Sequence, residues 1–99
     1  MKRYKIRVIP AAYSDMKEAR EWYRKINPEL TKRFNQQLKI TMEQIRSLPT
    51  GHTIRYIDVR IANLAVFPYA VHYIIEPDNL IILAVHHTAI DPEKWRKRL

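Results

Sequence analysis

The sequence predicts one α+β domain, in which a helical hairpin covers one face of a small antiparallel sheet. Three observations lead to this prediction. The first half of the chain carries two stretches with helical periodicity, and the second half carries three strand-like runs separated by short turns. The length of 99 residues allows one compact domain with one modest core. We therefore expect residues 1–99 to form a single domain.

An N-terminal strand and a first helix are predicted at the start of the chain. Residues 4–9 alternate in polarity, and Pro10 ends this strand because proline cannot donate to a β-ladder. Ser14 or Asp15 is expected to cap the helix that follows. Its apolar residues have helical spacing and are expected to face the core: Met16, Ala19, Trp22, Tyr23 and Ile26.

The second helix is predicted to begin at a tight junction. Asn27 can cap it, and Pro28 suits the first helical position because no partner for an N–H exists there. The helix is expected to reach about Leu48, with Phe34 among its core residues. A junction this short makes the two helices an antiparallel hairpin.

Three strands and a short terminal helix are predicted for the second half. The strands cover about residues 54–61, 65–76 and 80–86, with Pro68 at a bulge or an edge. Short connections pair such strands antiparallel. The tail from residue 91 onward can form one or two helical turns, so the predicted sheet comprises the N-terminal strand and a three-stranded meander.

Alternation along these strands predicts which side chains the helices cover. Ile57, Val59 and Ile61 share one face, and Ile81, Leu83 and Val85 are expected to face the helices. The apolar set of the middle strand is Tyr69, Val71, Tyr73 and Ile75. Arg60, His72 and His86 then fall on the uncovered face, while parity no longer decides the direction of His87. Such a face suits a polyanion, although a few cationic side chains on a solvated sheet are equally ordinary.

Composition limits the classes of function. Lysine and arginine number 18 against 10 aspartates and glutamates, which gives a formal charge of +8 and favours nucleic acid, an anionic membrane or an acidic protein as partner. The absence of cysteine excludes disulfides and thiolate metal sites, and one glycine excludes Gly-rich phosphate loops, so no metal or cofactor is expected. No apolar run approaches the roughly 18 residues of a membrane span. Lys5 and Arg7 interrupt any signal peptide, so we expect a cytoplasmic protein.

The histidines near the end of the last strand could carry phosphodiester chemistry. Attack by a ribose 2′-hydroxyl needs a base, an acid and cations that stabilise the added negative charge. His86 or His87, together with Arg60 and Arg55, could supply these groups without a metal. The alternative is that the His86–His87 pair simply ends a strand. Adjacent histidines point in opposite directions on a strand, which disfavours a metal site.

The basic tail has two interpretations as well. Trp95 could stack on a base while its neighbours Arg96 and Arg98 hold phosphates. Alternatively, Trp95 packs against the sheet edge and the charged groups stay in water.

Two segments resemble the RelE/ParE superfamily of bacterial toxins: residues 66–76, with sequence VFPYAVHYIIE, and residues 82–95, with sequence ILAVHHTAIDPEKW. The resemblance implies a helical hairpin on a sheet and a toxin of a type II toxin–antitoxin, or plasmid stabilisation, module. Such a toxin is held inactive by a cognate antitoxin in a toxin–antitoxin hetero-oligomer. One branch of the superfamily consists of mRNA interferases, RNA-binding endoribonucleases that cleave messages, often at the ribosome and without a metal. The other branch poisons DNA gyrase and is not enzymatic.

The resemblance also implies site residues. Arg60 matches a position that is often arginine in RNA-cleaving members, and His87 matches the histidine of an Ala-Val-x-His motif. An mRNA endonuclease is the function expected first, with Arg60 on the phosphate and His87 or His86 as acid or base. The expected substrate-binding residues are Arg55, His72, Trp95, Arg96 and Arg98. Ile90 stands where the family usually has arginine, which leaves a gyrase poison or a catalytically degenerate binding member as alternatives.

Overall fold

The structure, a computed structural model, describes residues 4–89 and residue 98 of the chain. Within that part, the elements in chain order are β1 (Lys5–Val8), α1 (Pro10–Ile26), α2 (Pro28–Ser47), a 3-10 turn (Pro49–Gly51), β2 (Ile54–Tyr56), β3 (Val59–Asn63), β4 (Tyr69–Ile75) and β5 (Asn79–His87). The strand order is β1-β5-β4-β3-β2, with β1 parallel to β5 and the other neighbours antiparallel. The predicted α+β class is confirmed. The predicted C-terminal helix lies outside the described residues.

The two helices pack on one face of the sheet, here called the helix face, and the opposite face is called the outer face. The core joins residues of both helices and of the central strands: Ala12, Met16, Ala19, Phe34, Leu38, Ile45, Ala62, Val71, Tyr73, Leu80, Ile82 and Val85. Each large apolar side chain buried here contributes roughly 1.5–3 kcal/mol of transfer free energy. No helix among the described residues is long and apolar enough to cross a membrane.

The helix boundaries confirm one predicted cap and correct the other. The Asn27 side chain accepts a hydrogen bond from the Glu29 N–H (3.0 Å), and Pro28 opens α2 as expected. The first helix does not begin after Ser14 or Asp15, because Pro10 occupies its first turn and Ile9 is the extended residue before it. Proline is compatible with this position, since the N–H that it lacks would have no partner there. Asp15 therefore lies inside α1 and is buried.

The predicted strand over residues 54–61 is two strands joined by a tight turn at Ile57 and Asp58. Ile57 has a positive φ of 47°, and Tyr56 pairs with Val59 across the turn. In β3, Arg60 is the register partner of Tyr73, whose side chain belongs to the core. Arg60 therefore lies on the helix face and not on the uncovered face, because the apolar Ile61 pairs with the outer-face His72 and does not face the helices as the prediction assumed.

A bulge in β5 corrects a second parity prediction. His72 pairs with Ala84 while Tyr73 pairs with Ile82, so Leu83 is an extra residue in β5. Leu80 and Ile82 consequently lie on the helix face, and Ile81 does not, contrary to the expectation. Leu83 is buried but lies outside the main core cluster. Val85 is in the core, as expected.

An aromatic cluster fixes α1 and α2 to the loop before β4. Tyr23, Phe34, Phe67 and Tyr69 contact one another with ring centroids 5.1–6.0 Å apart, mostly edge to face. Phe34 is fully buried and Tyr23 is packed against the core, as predicted. Trp22 is not a core residue, since 61% of it is exposed. It directly precedes Tyr23 in α1 and lies at the margin of the helix–sheet contact.

Candidate functional site

Beyond the end of β1, side chains form the hydrogen bonds to the β5 backbone that a neighbouring strand would otherwise form. β1 pairs with β5 only as far as Val8 and Ile82, so among the described residues no strand pairs with the next backbone groups of β5 on that side. The Val85 N–H donates to Asp15 Oδ2 (3.1 Å), and Arg98 Nη1 donates to the Leu83 carbonyl (2.9 Å). Arg98 Nη1 also donates to Asp15 Oδ2 at 2.7 Å. The Asp15–Arg98 ion pair thus supplies an acceptor and a donor where a neighbouring strand would supply them.

Asp15 also lies against the outer-face histidine of β5. His86 Nε2 is 3.1 Å from Asp15 Oδ2. Burial raises the pKa of Asp15, but hydrogen bonds from His86, Arg98 and the Val85 N–H outweigh it, so the net pKa is below its usual 3.8. The carboxylate is therefore charged at neutral pH, and it binds three groups from two other parts of the chain.

His72 lies on the outer face, as predicted, but it is not accessible there. Only 3% of it is exposed, and its Nδ1 is 3.1 Å from the Tyr56 hydroxyl. Burial, and to a smaller extent the charge of the nearby His86, together lower the pKa of His72 to about 4. The imidazole is uncharged at neutral pH, so it offers no positive charge to a phosphate.

A cleft opens where the end of β5 meets α1, here called the β5 cleft. It has a volume of about 180 Å³ and is lined by Asp15, Glu18, Ala19, Trp22, Tyr69, Val85, His86 and His87. His87 faces Tyr69 with their rings 5.5 Å apart, and its Nδ1 accepts a hydrogen bond from the Ala89 N–H (3.1 Å). The structure therefore brings both predicted histidines to one cavity. No group of three or more His, Asp or Glu side chains within residues 4–89 is placed to hold a metal ion.

Arg60 does not reach this cleft. Its guanidinium donates to the carbonyl of His52 (2.6 Å) and to that of Thr50 (3.4 Å), and so holds the segment after α2. Arg60 pairs with Tyr73, whereas His87 pairs with Tyr69, four residues along β4. At about 3.3 Å per residue this separates the two positions by roughly 13 Å along the strand alone.

Of the remaining predicted substrate-binding residues, Arg55 lies apart from the β5 cleft, whereas Arg98 lies beside it, bound to Asp15. Arg55 is at a bulge in β2 and lines a separate depression with Gly51, His52, Thr53, Ile61 and Asn63. Arg98 is bound to Asp15 and Leu83, and 23% of its side chain is exposed. Trp95 and Arg96 lie outside the described residues, as does the motif around Ile90.

Asp15, Glu18, Trp22 and Tyr69 were not among the predicted site residues. One signal for Asp15 was available, because it falls between Ala12 and Ala19 on the apolar stripe of α1. A carboxylate on such a stripe must be paired when the stripe is buried, which is a reason to expect a partner elsewhere in the chain. Glu18 and Trp22 carried no such signal, since both are exposed on the helix.

The fold and the charge define a small basic α+β domain, and comparison with known proteins shows which family it belongs to. The family model described as "ParE toxin of type II toxin-antitoxin system, parDE" matches residues 6–92, so the chain belongs to this family. The chain is also similar to a solved structure, "Chromosomal ParDE TA system from P. aeruginosa", with a TM-score of 0.75 and 16% sequence identity. That alignment covers 85% of this chain and 95% of the other. Among curated protein sequences, none matches.

Proposed function

We propose that this toxin arrests growth by binding DNA gyrase and not by cleaving RNA. The observation that carries the proposal is the separation of the groups that an endonuclease would need. His86 and His87 line the β5 cleft, whereas Arg60 lies at the other end of β4 with its guanidinium bound to backbone carbonyls. Membership of the ParE family supports gyrase as the target, because the ParE-like branch of the superfamily is the one that poisons gyrase.

The electrostatics of the β5 cleft support a target other than a scissile phosphate. In-line cleavage of RNA builds negative charge on the phosphorane, and positive groups must stabilise it in the transition state. The described lining of the cleft contains two carboxylates, Asp15 and Glu18, and neither lysine nor arginine. A phosphate placed beside the two histidines would therefore meet like charge from Glu18, while the Asp15 charge is shared with Arg98.

A metal-independent mRNA endonuclease is the second candidate, and one observation favours it. His86 and His87 open into the same cavity, which is the arrangement that an acid and a base require. The two candidates differ in what they demand of His87. An endonuclease needs its imidazole, whereas a gyrase poison does not.

A growth assay with a His87→Gln variant separates the two candidates. Loss of a general acid or base lowers the rate of the catalysed reaction by roughly 10²–10⁴-fold. We expect the variant to arrest growth at the same induction level as the parent, and cellular RNA 5′ ends to be unchanged by either protein. Expression without growth arrest in the variant, together with new RNA ends from the parent, would establish the endonuclease instead. A Glu21→Gln variant, altered on the exposed surface of α1, controls for expression and folding.

A further inference from the structure

The described lining of the β5 cleft carries carboxylates and neither lysine nor arginine, although the chain as a whole is basic. The chain has a formal charge of +8, yet the described lining consists of two carboxylates, two histidines and uncharged residues, and Arg98 beside it is paired with Asp15 at 2.7 Å. A carboxylate in such a place on a basic protein is suited to a positive group of a partner. Asp15 is already bound by Arg98 and His86, so Glu18 is the carboxylate available to that group.

Glu18 differs from the other glutamates of the helices. Three of them form ion pairs within their own helix: Glu21 with Arg24 at 3.3 Å, Glu29 with Lys32 at 3.5 Å, and Glu43 with Arg46 at 3.3 Å. Glu18 forms no ion pair with any described residue, although lysines and arginines are abundant. Glu18 and Tyr69 line the same cleft, and the charge of Glu18 adds to burial in raising the pKa of Tyr69.

Trp22 supplies an aromatic surface beside that carboxylate. It lies one helical turn after Glu18, lines the same cleft, and is 61% exposed. Tyr69 lines the cleft from β4 and is partly buried. A planar cation can stack on such rings while its N–H groups pair with a carboxylate, and guanidinium does both better than an ammonium group.

We propose that the β5 cleft binds an arginine side chain of the cognate antitoxin, with the guanidinium stacked on Trp22 and paired with Glu18. A volume of about 180 Å³ holds one side chain and not a folded segment. The antitoxin is the partner that family membership implies, and an acidic antitoxin steered by the +8 charge would use one inserted arginine to fix its register. Tryptophan and arginine are also the residues in which interface binding energy concentrates. The proposal rests on family membership and is independent of the gyrase target.

An NMR titration of the ¹⁵N-labelled toxin tests the chemistry of the cleft. The probes are Nα-acetyl-arginine amide and its uncharged analogue Nα-acetyl-citrulline amide, and the readout is the Trp22 indole N–H, assigned with a Trp22→Phe variant. We expect saturable shifts with the arginine probe only, and an affinity at least fivefold lower in Glu18→Gln. Glu21→Gln removes a carboxylate three residues after Glu18 on the same helix, and this variant should bind the arginine probe like the parent. Equal responses to both probes, or equal losses in both variants, would overturn the proposal.

A second measurement tests the source of the arginine. The antitoxin is taken as the product of the gene beside the toxin gene, and its affinity is measured by calorimetry for the parent, Glu18→Gln and Glu21→Gln proteins. We expect Glu18→Gln to weaken binding about tenfold with an unchanged melting temperature, and Glu21→Gln to leave it unchanged. Unaltered antitoxin binding by Glu18→Gln contradicts the proposal. So does saturation of the cleft by adenosine without any response to the arginine probe, since that result would identify a nucleobase site.

Discussion

Asp15 links three parts of the chain through one carboxylate. It belongs to α1, accepts from the backbone of β5, and pairs with Arg98 near the C-terminus. Removing one member of a buried ion pair usually costs more than the pair contributes, because the remaining charge stays buried without compensation. The stability of the β5 edge should therefore depend on the charge of Asp15 more than on any exposed ion pair.

An Asp15→Asn variant tests this dependence. Asparagine keeps an oxygen for the Val85 N–H but removes the charge that compensates Arg98, so we expect a loss of about 3 kcal/mol in the free energy of unfolding. Glu43→Gln breaks an exposed pair with Arg46 and should cost less than about 1 kcal/mol. Urea denaturation measures both. Similar losses in the two variants would show that the Asp15 charge has no special role.

His72 makes stability depend on pH. Its pKa is about 4 in the folded protein and 6.5 in a model peptide, so the unfolded chain binds more protons between these values. Stability is therefore complete above about pH 6.5 and decreases as the pH falls toward 4, by on the order of 3 kcal/mol in total. Asp15, whose folded pKa lies below 3.8, adds a further loss in the same direction at more acidic pH.

A His72→Gln variant should flatten this pH dependence. Glutamine does not titrate and can still accept from the Tyr56 hydroxyl, which is 3.1 Å from the histidine ring. We expect the melting temperature of the parent to fall more steeply than that of the variant between pH 7 and pH 4.5. A His87→Gln protein, which retains His72, should keep the slope of the parent. Parallel curves for parent and His72→Gln would contradict the low pKa.

At the scale of elements, the β2–β3 turn contains local strain. Ile57 has a φ of 47° and is 57% exposed, and positive φ is unfavourable for a β-branched side chain. Ile57 is the first central residue of a two-residue connection, and Asp58 does not share its positive φ. This pattern matches a type II′ turn, which favours glycine at that first position.

An Ile57→Gly substitution should consequently stabilise the protein. Relief of the strained φ outweighs the added freedom of glycine in the unfolded chain, and the exposed side chain contributes little packing, so we expect a gain of about 1 kcal/mol. Ile57→Ala removes the same side-chain branches but retains a Cβ, so it should gain much less. Thermal melts of the two variants against the parent measure the difference. A destabilised glycine variant would mean that the Ile57 side chain supports the sheet.

The helices were predictable because their signals are local. The stripe of α2 and the Asn27–Pro28 junction follow from spacing of three and four residues and from one cap. The strand faces were harder to predict, since one bulge at Leu83 reverses alternation and no residue type marks it. The turn at Ile57 and Asp58 lacks the glycine or asparagine that would have indicated it. Arg60 was placed on the wrong face because its apolar neighbour Ile61 lies on the outer face with His72.

The candidate site was also only partly predictable from the sequence, because its walls come from distant parts of the chain. The adjacent positions of His86 and His87 were visible in the sequence, and both do line one cleft. The other walls of that cleft come from Glu18 and Trp22 on α1 and from Tyr69 on β4, so they depend on how α1 crosses the sheet. Arg98 meets Asp15 across 83 positions of sequence, a pairing that no local pattern indicates.

For the whole molecule, the net positive charge is not concentrated at the β5 cleft. The excess of 18 basic over 10 acidic residues favours an anionic partner, while the described lining of the β5 cleft carries Asp15, which is paired with Arg98, and Glu18. The arginine expected at a catalytic phosphate is instead bound to the backbone carbonyls of Thr50 and His52. Within residues 4–89 and residue 98, the predicted catalytic arginine and histidines are therefore not brought together.

The central claim is tested most directly by a supercoiling assay with purified DNA gyrase, relaxed plasmid and increasing amounts of toxin, with a messenger RNA included in parallel reactions. We predict that the toxin inhibits supercoiling in a dose-dependent manner, that purified antitoxin reverses the inhibition, and that the RNA remains intact. Normal supercoiling at toxin concentrations well above that of gyrase, accompanied by fragmentation of the RNA, would contradict the account and assign the toxin to the RNA-cleaving branch.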